Sequence, residues 1–402
     1  DLWMFTIVYS MCYMESGKNK KRFFTFMLAC LGITMGIAFA SNLFTFYVFY
    51  EFLTFGTYPL VIHKQTETSF EAGKKYLFYS LFGAALILLG IIAVFWNSNT
   101  LVFNPGGILK QNLISLTVGR MIFLVFFFGF GVKAAVFPLH SWLPSAMTAP
   151  TPVSALFHAV AVVKSGVFAI FRLMYFVFSP ELVKTMGLQL PVLWIASLTI
   201  ILSSLFAVYQ QNIKKRLAYS TISQLSYIVL GFAFFSPDGI KGALLHMINH
   251  ALLKITLFFC VGNIILRTGL NEVNELNGIG KKMPITATCF TLASIGLVGV
   301  PPTNGFVSKW FLSMGSLEAG ETVYIIVLMI SALLTAAYLL PICIRSFFFQ
   351  ESDKIKHQKN LEPSAKMLVP VIILAGLSLY LGFYYSIPMV LIEKTVEILL
   401  KL

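Results

Sequence analysis

Long apolar runs dominate this chain and limit what it can become. Eleven of them, each reaching the about 18–25 residues that carry an α-helix across a bilayer core, lie near 23–41, 43–62, 76–96, 119–137, 151–178, 191–210, 217–235, 240–266, 284–320, 322–348 and 366–387. Inside hydrocarbon a backbone N–H or C=O has no water to bond, so each run closes its hydrogen bonds within itself as a helix. Only 11% of the 402 residues are charged and 58% are hydrophobic, whereas soluble domains carry about 25% charged residues. The expected fold class is an all-α polytopic membrane protein with about eleven transmembrane helices, a partial helix at 1–14 and a terminal amphipathic helix at 388–402. The chain opens on Asp1 with neither an initiator Met nor a signal peptide, and "LWMFTIVYSMCYM" is too short to span. The start therefore reads as a cut through a helix that earlier helices would precede.

Two runs are interrupted. In "GFGVKAAVFPLHSWLPSAMTAP", Gly129–Pro150, an apolar stretch carries Lys133 and breaks at Pro138; in "LVGVPPTNGFVSKWFL", Pro301 and Pro302 break the helix, Gly305 follows, and Lys309 comes next. Unwound backbone at membrane depth is tolerated only where it lines a cavity, so broken helices in matching halves of a chain point to an ion pathway. Pairing them suggests two repeats of five helices, 23–178 and 179–348. Before them lie a partial helix and cytoplasmic loop at 1–22; after them, a loop, the last span and the terminal helix at 349–402.

The formal net charge of +13 would suggest nucleic acid in a soluble protein, but here it follows from topology. Loops on one side hold Lys18, Lys20, Lys21, Arg22, Lys64, Lys74, Lys75, Lys214, Lys215, Arg216, Arg267, Lys281, Lys282, Arg345, Lys354, Lys356, Lys359 and Lys366. The opposite loops and ends hold Lys110, Arg120, Arg172, Lys184, Lys241, Lys394 and Lys401. The richer side is cytoplasmic by the positive-inside rule. Four cations belong to neither set and fall inside apolar helices: Lys133, Lys164, Lys254 and Lys309. One carboxylate, Glu51 in "YVFYEFLTFGTYPLV", and three histidines, His158, His246 and His250, share that depth. Ionisable groups inside a membrane are costly, and they mark functional paths.

Glu51 is either a carboxylic acid kept neutral by desolvation or one half of an ion pair with a lysine, and the spare lysines favour the pair. A lysine facing a carboxylate keeps its proton, whereas one left alone at low dielectric loses it more readily; moving the partner would make a proton gate. Lys309 could instead snorkel to an interface. "FHAVAVVKSGVFAIFR" puts His158 and Lys164 on one helix, about 9 Å apart along its axis and on different faces. In "LLHMINHALLKITLFF" the i, i+4, i+8 spacing sets His246, His250 and Lys254 on one face, about 6 Å per step. Two histidines at i, i+4 could bind a metal, but no Glu or Cys joins them and Lys254 would repel a cation, so a hydrated proton wire is preferred. Ser154, Ser165, Thr221, Ser223 and Gln224 could hold water along it or make ordinary interhelical bonds; His140, after Pro138, reads as interfacial and structural.

The five cysteines stand singly, which gives no iron–sulfur, zinc or disulfide framework, and neither GxGxxG nor a Walker motif is present. No cofactor or metal is expected in this chain, and no nucleic acid.

"FGFGVKAAVFPLHSWLPSAMTAPTPVSALFHAVAVVKSGVFAIFR", with "FYEFLTFGTYPL", "KKRLAYSTISQLSYIVLG", "HMINHALLKITLFF" and "MPITATCFTLASIGLVGVPPTNGFVSKWFL", resembles the antiporter-like subunits of respiratory complex I, membrane-bound hydrogenases and Mrp-type cation/proton antiporters. The resemblance covers essentially the whole chain. It implies a fold of fourteen helices with two inverted five-helix repeats, of which the first two and part of the third would lie before this sequence. It also implies that Glu51 is the fifth-helix glutamate, Lys133 its partner on the broken seventh helix, and Lys164 the eighth-helix lysine beside His158. His246, His250 and Lys254 match the eleventh-helix polar line, and Lys309 the broken twelfth helix, where one branch has glutamate and others lysine. "PPTNGFVSKW" looks closer to Mrp-D-type and hydrogenase-associated members, and the final span is not followed by the long lateral helix that marks the largest of the complex I members.

The implied function is proton, or cation/proton, translocation within a multisubunit complex of the prokaryotic cytoplasmic membrane. Its expected partners are other membrane subunits, homologous antiporter-like ones included, the lipid bilayer, and protons or Na+. Redox centres would reside in partner subunits. The nearest alternative is Mrp-type Na+/H+ exchange; membership of an inorganic-carbon uptake complex, a stand-alone secondary transporter and a quinone-binding oxidoreductase are more distant.

Overall fold

Two asparagines organise the helix order. Asn42 and Asn212 each sit in extended backbone at the start of a helix and accept a hydrogen bond from the backbone N–H three residues on, at Thr45 (2.8 Å) and Lys215 (3.1 Å), the usual job of an N-cap side chain. Their flanks are stitched alike to the chain that follows the next helix. Leu43 and Phe103 bond Leu101 and Ser41, while Ile213 and Val273 bond Asn271 and Gln211.

The computed structural model describes residues 2–400 apart from Ser16, His357 and Lys359, and among these it contains helices and no strand. Asp1, Leu402 and, among the basic residues assigned to loops and ends, Lys359 and Lys401 lie outside the described residues. The helices of the first half are α1 (Leu2–Tyr13), α2 (Lys20–Phe39), α3 (Leu43–Val61), α4 (Glu67–Ser98), α5 (Leu116–Ala134), α6 (Trp142–Ser145), α7 (Thr151–Ala159) and α8 (Val162–Arg172). Those of the second are α9 (Pro180–Thr185), α10 (Gln189–Tyr209), α11 (Ile213–Ala233), α12 (Pro237–Thr268), α13 (Ile279–Lys282), α14 (Pro284–Val298), α15 (Asn304–Glu318), α16 (Val323–Phe348), α17 (Ala365–Phe383) and α18 (Ser386–Leu400).

Among the described residues, eight stretches are long and apolar enough to cross a membrane. Of the most apolar part of Thr151–Val177 and of α12, 89% and 83% is buried, against 22% of α2 and 33% of α16 and of α17. The first two therefore form the centre and the others the rim. Large side chains such as Phe78, Trp96 and Leu333 stand exposed on the rim, as a lipid-facing surface requires. On α18, Met389, Ile392, Val396 and Leu399 recur at helical spacing and turn inward.

Several boundaries differ from the sequence expectation. The span placed at 76–96 begins at Glu67, where Thr66 and Ser69 form a reciprocal capping box, so Lys74 and Lys75 sit on helix α4 rather than in a loop. The span placed at 217–235 begins at Ile213, capped by Asn212, which draws Lys214 and Arg216 into the helix and buries both. They do not lie free in a cytoplasmic loop. Lys214 Nζ donates to Ala149 O at 2.6 Å, and Arg216 donates to the carbonyls of Gln210, Val208 and Tyr338, cations placed where helix carbonyls lack partners.

The run 151–178 is not one helix. Regular winding stops at Val160 and Ala161, both of whose N–H groups bond Leu156 O, and α8 then loosens into a π turn over Leu173–Val177. His158 and Lys164 therefore stand on two short helices, and the axial spacing expected for one straight helix does not hold. The two short helices pack on different neighbours. Gly166 on α8 lies directly on the backbone of Lys133 and Ala134, while α7 packs along α12.

Candidate functional site

Both interrupted helices end on unwound backbone whose carbonyls are answered individually. α5 stops at Ala134, four residues before Pro138; Ala135 turns left-handed (φ 56°), Val136 N–H returns to Gly131 O, and Trp142 Nε1 donates to Val132 O at 2.7 Å. α14 stops at Val298, Gly299 turns left-handed (φ 90°), and Pro301 and Pro302 carry the chain to α15. Here the partner is Lys309, whose Nζ donates to Leu297 O and Val298 O, both at 2.8 Å. Lys309 is buried and points inward, so the snorkelling alternative fails. Gly305 packs against the carbonyl of Gly296, which closes the two half-helices on each other. Trp142→Phe, which removes this donor while Val132 O keeps the N–H of Ala135, should cost about 0.5–1.5 kcal/mol for one lost hydrogen bond, read as a lowered unfolding midpoint in lipid nanodiscs.

Glu51 and Lys133 meet. Lys133, in the last turn of α5, places Nζ 3.6 Å from Glu51 Oε1 of α3, donates to Tyr50 O, and lies 3.6 Å from the centroid of the Tyr50 ring. Lys133 is fully enclosed and Glu51 nearly so. Neither Glu51 oxygen has a hydrogen-bond partner among the described residues, nor does the Tyr50 hydroxyl. The pair is therefore a charge contact looser than a charge-assisted hydrogen bond of about 2.8 Å, the kind of contact a modest movement makes or breaks.

The remaining titratable groups converge on α12. His250 lies one turn from His246 and one from Lys254 on that helix. Its two ring nitrogens, both nitrogens of His158 and the Lys164 ammonium have no hydrogen-bond partner among the described residues, although buried polar groups are normally bonded. His246, with its ring centroid 6.1 Å from that of His250, is held at both nitrogens, by Gln224 Oε1 (3.0 Å) and Ser308 Oγ (2.9 Å). Lys254 donates to Leu217 O and to Ser220 Oγ of α11. Tyr227 joins the far end, stacked on His246 and 5.3 Å from Lys309 Nζ.

Sequence reasoning left out several participants. Asn249 and Asn304 bond each other across α12 and the second helix break; an asparagine between two histidines in an apolar helix was the available signal. Tyr227 and Ser308 carried none, because hydroxyls are common in membrane helices. Of the polar residues named from sequence, Gln224 touches a titratable group directly, while Ser154 and Ser165 bond carbonyls of their own helices. His140 stacks on Phe137 beside the first break.

The profile of the NADH:quinone oxidoreductase/Mrp antiporter transmembrane family matches residues 40–335, from just before Asn42 to beyond Lys309. The chain belongs to this family. It is 34% identical over 393 residues to NADH-quinone oxidoreductase subunit N of Desulforudis audaxviator, covering 94% of this chain and 77% of that one. It is 29% identical over 380 residues to the D-type member of the Na(+)/H(+) antiporter of Bacillus subtilis, covering 92% and 74%. Among solved structures, the Mrp complex of Dietzia sp. superposes with a TM-score of 0.86 at 22% identity, over 98% of this chain and 81% of that one, which establishes the shared fold. The family and the long apolar helices together make this a multi-pass membrane protein.

Proposed function

We propose that this chain translocates protons as one membrane subunit of a larger respiratory-type complex in a prokaryotic cytoplasmic membrane. The observation that carries the reading is the enclosed Glu51–Lys133 pair at the end of a broken helix, with a row of buried groups that have no hydrogen-bond partner among the described residues. Such groups in a polar space call for bridging water, and water linking Lys164, His250 and Lys254 would make a path toward Lys309. Paired with Glu51, Lys133 holds its proton; separated, it releases it more readily, so motion of α3 against α5 gates the charge on the path. Two repeats, 23–178 and 179–348, would supply the two broken helices. The matched settings of Asn42 and Asn212 support that division. Partner subunits, homologous ones among them, would carry the redox centres.

The test is proton uptake by proteoliposomes holding the assembled complex. Lys164→Met or His250→Leu should reduce driven proton movement to background while subunit composition stays unchanged; wild-type rates in both would overturn the reading. A second reading, Na+/H+ exchange, is supported by the similarity to the Bacillus subtilis antiporter. It predicts proton efflux on a sodium pulse without any redox substrate.

A further inference from the structure

We propose that Ser308 is the positioning residue through which the proton load of His246 is felt at the second helix break, its hydroxyl hydrogen turning from Gly305 O to His246 Nδ1 whenever that nitrogen is bare. Ser308 Oγ lies 2.9 Å from His246 Nδ1 and 3.1 Å from Gly305 O, the hydroxyl's two partners among the described residues. A serine hydroxyl carries one hydrogen and two lone pairs. A backbone carbonyl can only accept, so while Ser308 donates to Gly305 O its contact with His246 requires a hydrogen on Nδ1. Once Nδ1 is bare, the same contact requires the serine hydrogen, and Gly305 O gives it up. One hydrogen cannot serve both. His246, Gly305 and Ser308 are all buried, where an unanswered polar atom is costly, so the hydroxyl must follow the ring.

Gln224 decides which ring nitrogen exchanges its proton. Its amide oxygen faces Nε2 at 3.0 Å and only accepts, which keeps a hydrogen on Nε2 in the neutral and the charged ring alike. The proton that comes and goes is therefore the one on Nδ1, on the side of the broken helix. When it arrives, the hydroxyl hydrogen swings to Gly305 O by rotation about Cβ–Oγ; no bond of the serine breaks, and the site gains one proton. The swing acts where α15 begins. Gly305 lies against the Gly296 carbonyl, Asn304 before it exchanges hydrogen bonds with Asn249 of α12, and Lys309, the residue after Ser308, donates to the Leu297 and Val298 carbonyls. The titratable groups set around His246 are His250 on its own helix, Tyr227 on α11, Lys309 on α15 and Lys164 on α8. Ser308 alone joins Nδ1 to the main chain of the break.

The turn of the hydroxyl stands on this geometry alone; its use in transport rests on the translocation reading above. The test is solid-state NMR of the full assembled complex in lipid, with isotope-labelled histidine, glycine and phenylalanine, across a pH series. The His246 signals are those lost in His246→Asn, and the Gly305 carbonyl is assigned through its bond to the Phe306 nitrogen. As Nδ1 gains its proton, the Gly305 carbonyl signal should move with the same midpoint while Nε2 stays protonated throughout. Ser308→Ala should leave the Gly305 signal fixed and lower the share of doubly protonated rings at a given pH about tenfold, the worth of one hydrogen bond to a charged group. Ser308→Thr, which keeps the hydroxyl, should restore both. Should the alanine variant fail to assemble, the wild-type spectra decide: a Gly305 carbonyl indifferent to His246, or a ring that gives up its Nε2 proton first, overturns the proposal. Equal behaviour of the alanine and threonine variants overturns it too. Coupled wild-type signals together with full driven proton uptake by Ser308→Ala uphold the hydroxyl's turn and refute its use in translocation instead.

Discussion

Lys133→Ala is expected to abolish ion translocation and also to cost about 3–5 kcal/mol of stability, the usual penalty for leaving one half of a buried pair without the other. The cause is specific. Truncation strands Glu51, whose two oxygens have no hydrogen-bond partner among the described residues, and also removes the lysine's donation to the Tyr50 carbonyl. A carboxylate in that position must take up a proton or unfold its surroundings. The double variant Glu51→Leu with Lys133→Met separates the two effects. Replacing a buried ion pair by apolar residues of similar size is often neutral or stabilising by about 1–4 kcal/mol, so stability should return while transport stays lost. Thermal unfolding in nanodiscs and proton uptake in proteoliposomes measure the two quantities independently. Transport by the double variant would dismiss the pair as a structural contact.

Gly305→Val should be nearly as damaging through backbone geometry alone. A Cβ at Gly305 runs into the carbonyl oxygen of Gly296, and no rotamer change relieves a clash between two main chains. α15 would be pushed off α14, taking Lys309 away from the Leu297 and Val298 carbonyls it answers and Asn304 away from Asn249. Overpacking costs about 1–3 kcal/mol when side chains absorb it and more when they do not, so a loss of about 3 kcal/mol or more is expected, with transport lost even in protein that folds. Gly376→Ala provides the control. Nothing lies within 4 Å of its Cβ position, and an alanine in mid-helix gains up to about 1 kcal/mol over glycine. Equal behaviour of the two variants in a thermal scan would remove the close approach from the account of the second break.

Much of the site was legible before any coordinates. The four lysines, one glutamate and three histidines stood out because hydrocarbon penalises each so heavily that a chance occurrence is rarely kept. Pro138, Pro301 and Pro302 flagged both interrupted helices because proline lacks the donor a helix needs. The break between His158 and Lys164 was not legible. No proline or glycine sits at Val160 or Ala161, so the sequence carries no marker of the interruption there. The burial of Lys214 was hidden for a related reason: a lysine at a span's edge looks the same whether it faces water or, as here, reaches Ala149 O.

The sequence by itself determined that the chain spans a membrane many times and which ionisable side chains fall inside its apolar runs. These follow from composition along the chain and from the cost of transferring each residue out of water. Only the tertiary structure decided who meets whom. It placed Lys133 on Glu51, gave Lys309 to the end of its own broken helix, tied His246 to Gln224 and Ser308, and left His250 and Lys164 without hydrogen-bond partners among the described residues. Such pairings join residues tens of positions apart. They depend on how neighbouring helices cross, which the transfer cost of a single residue cannot specify.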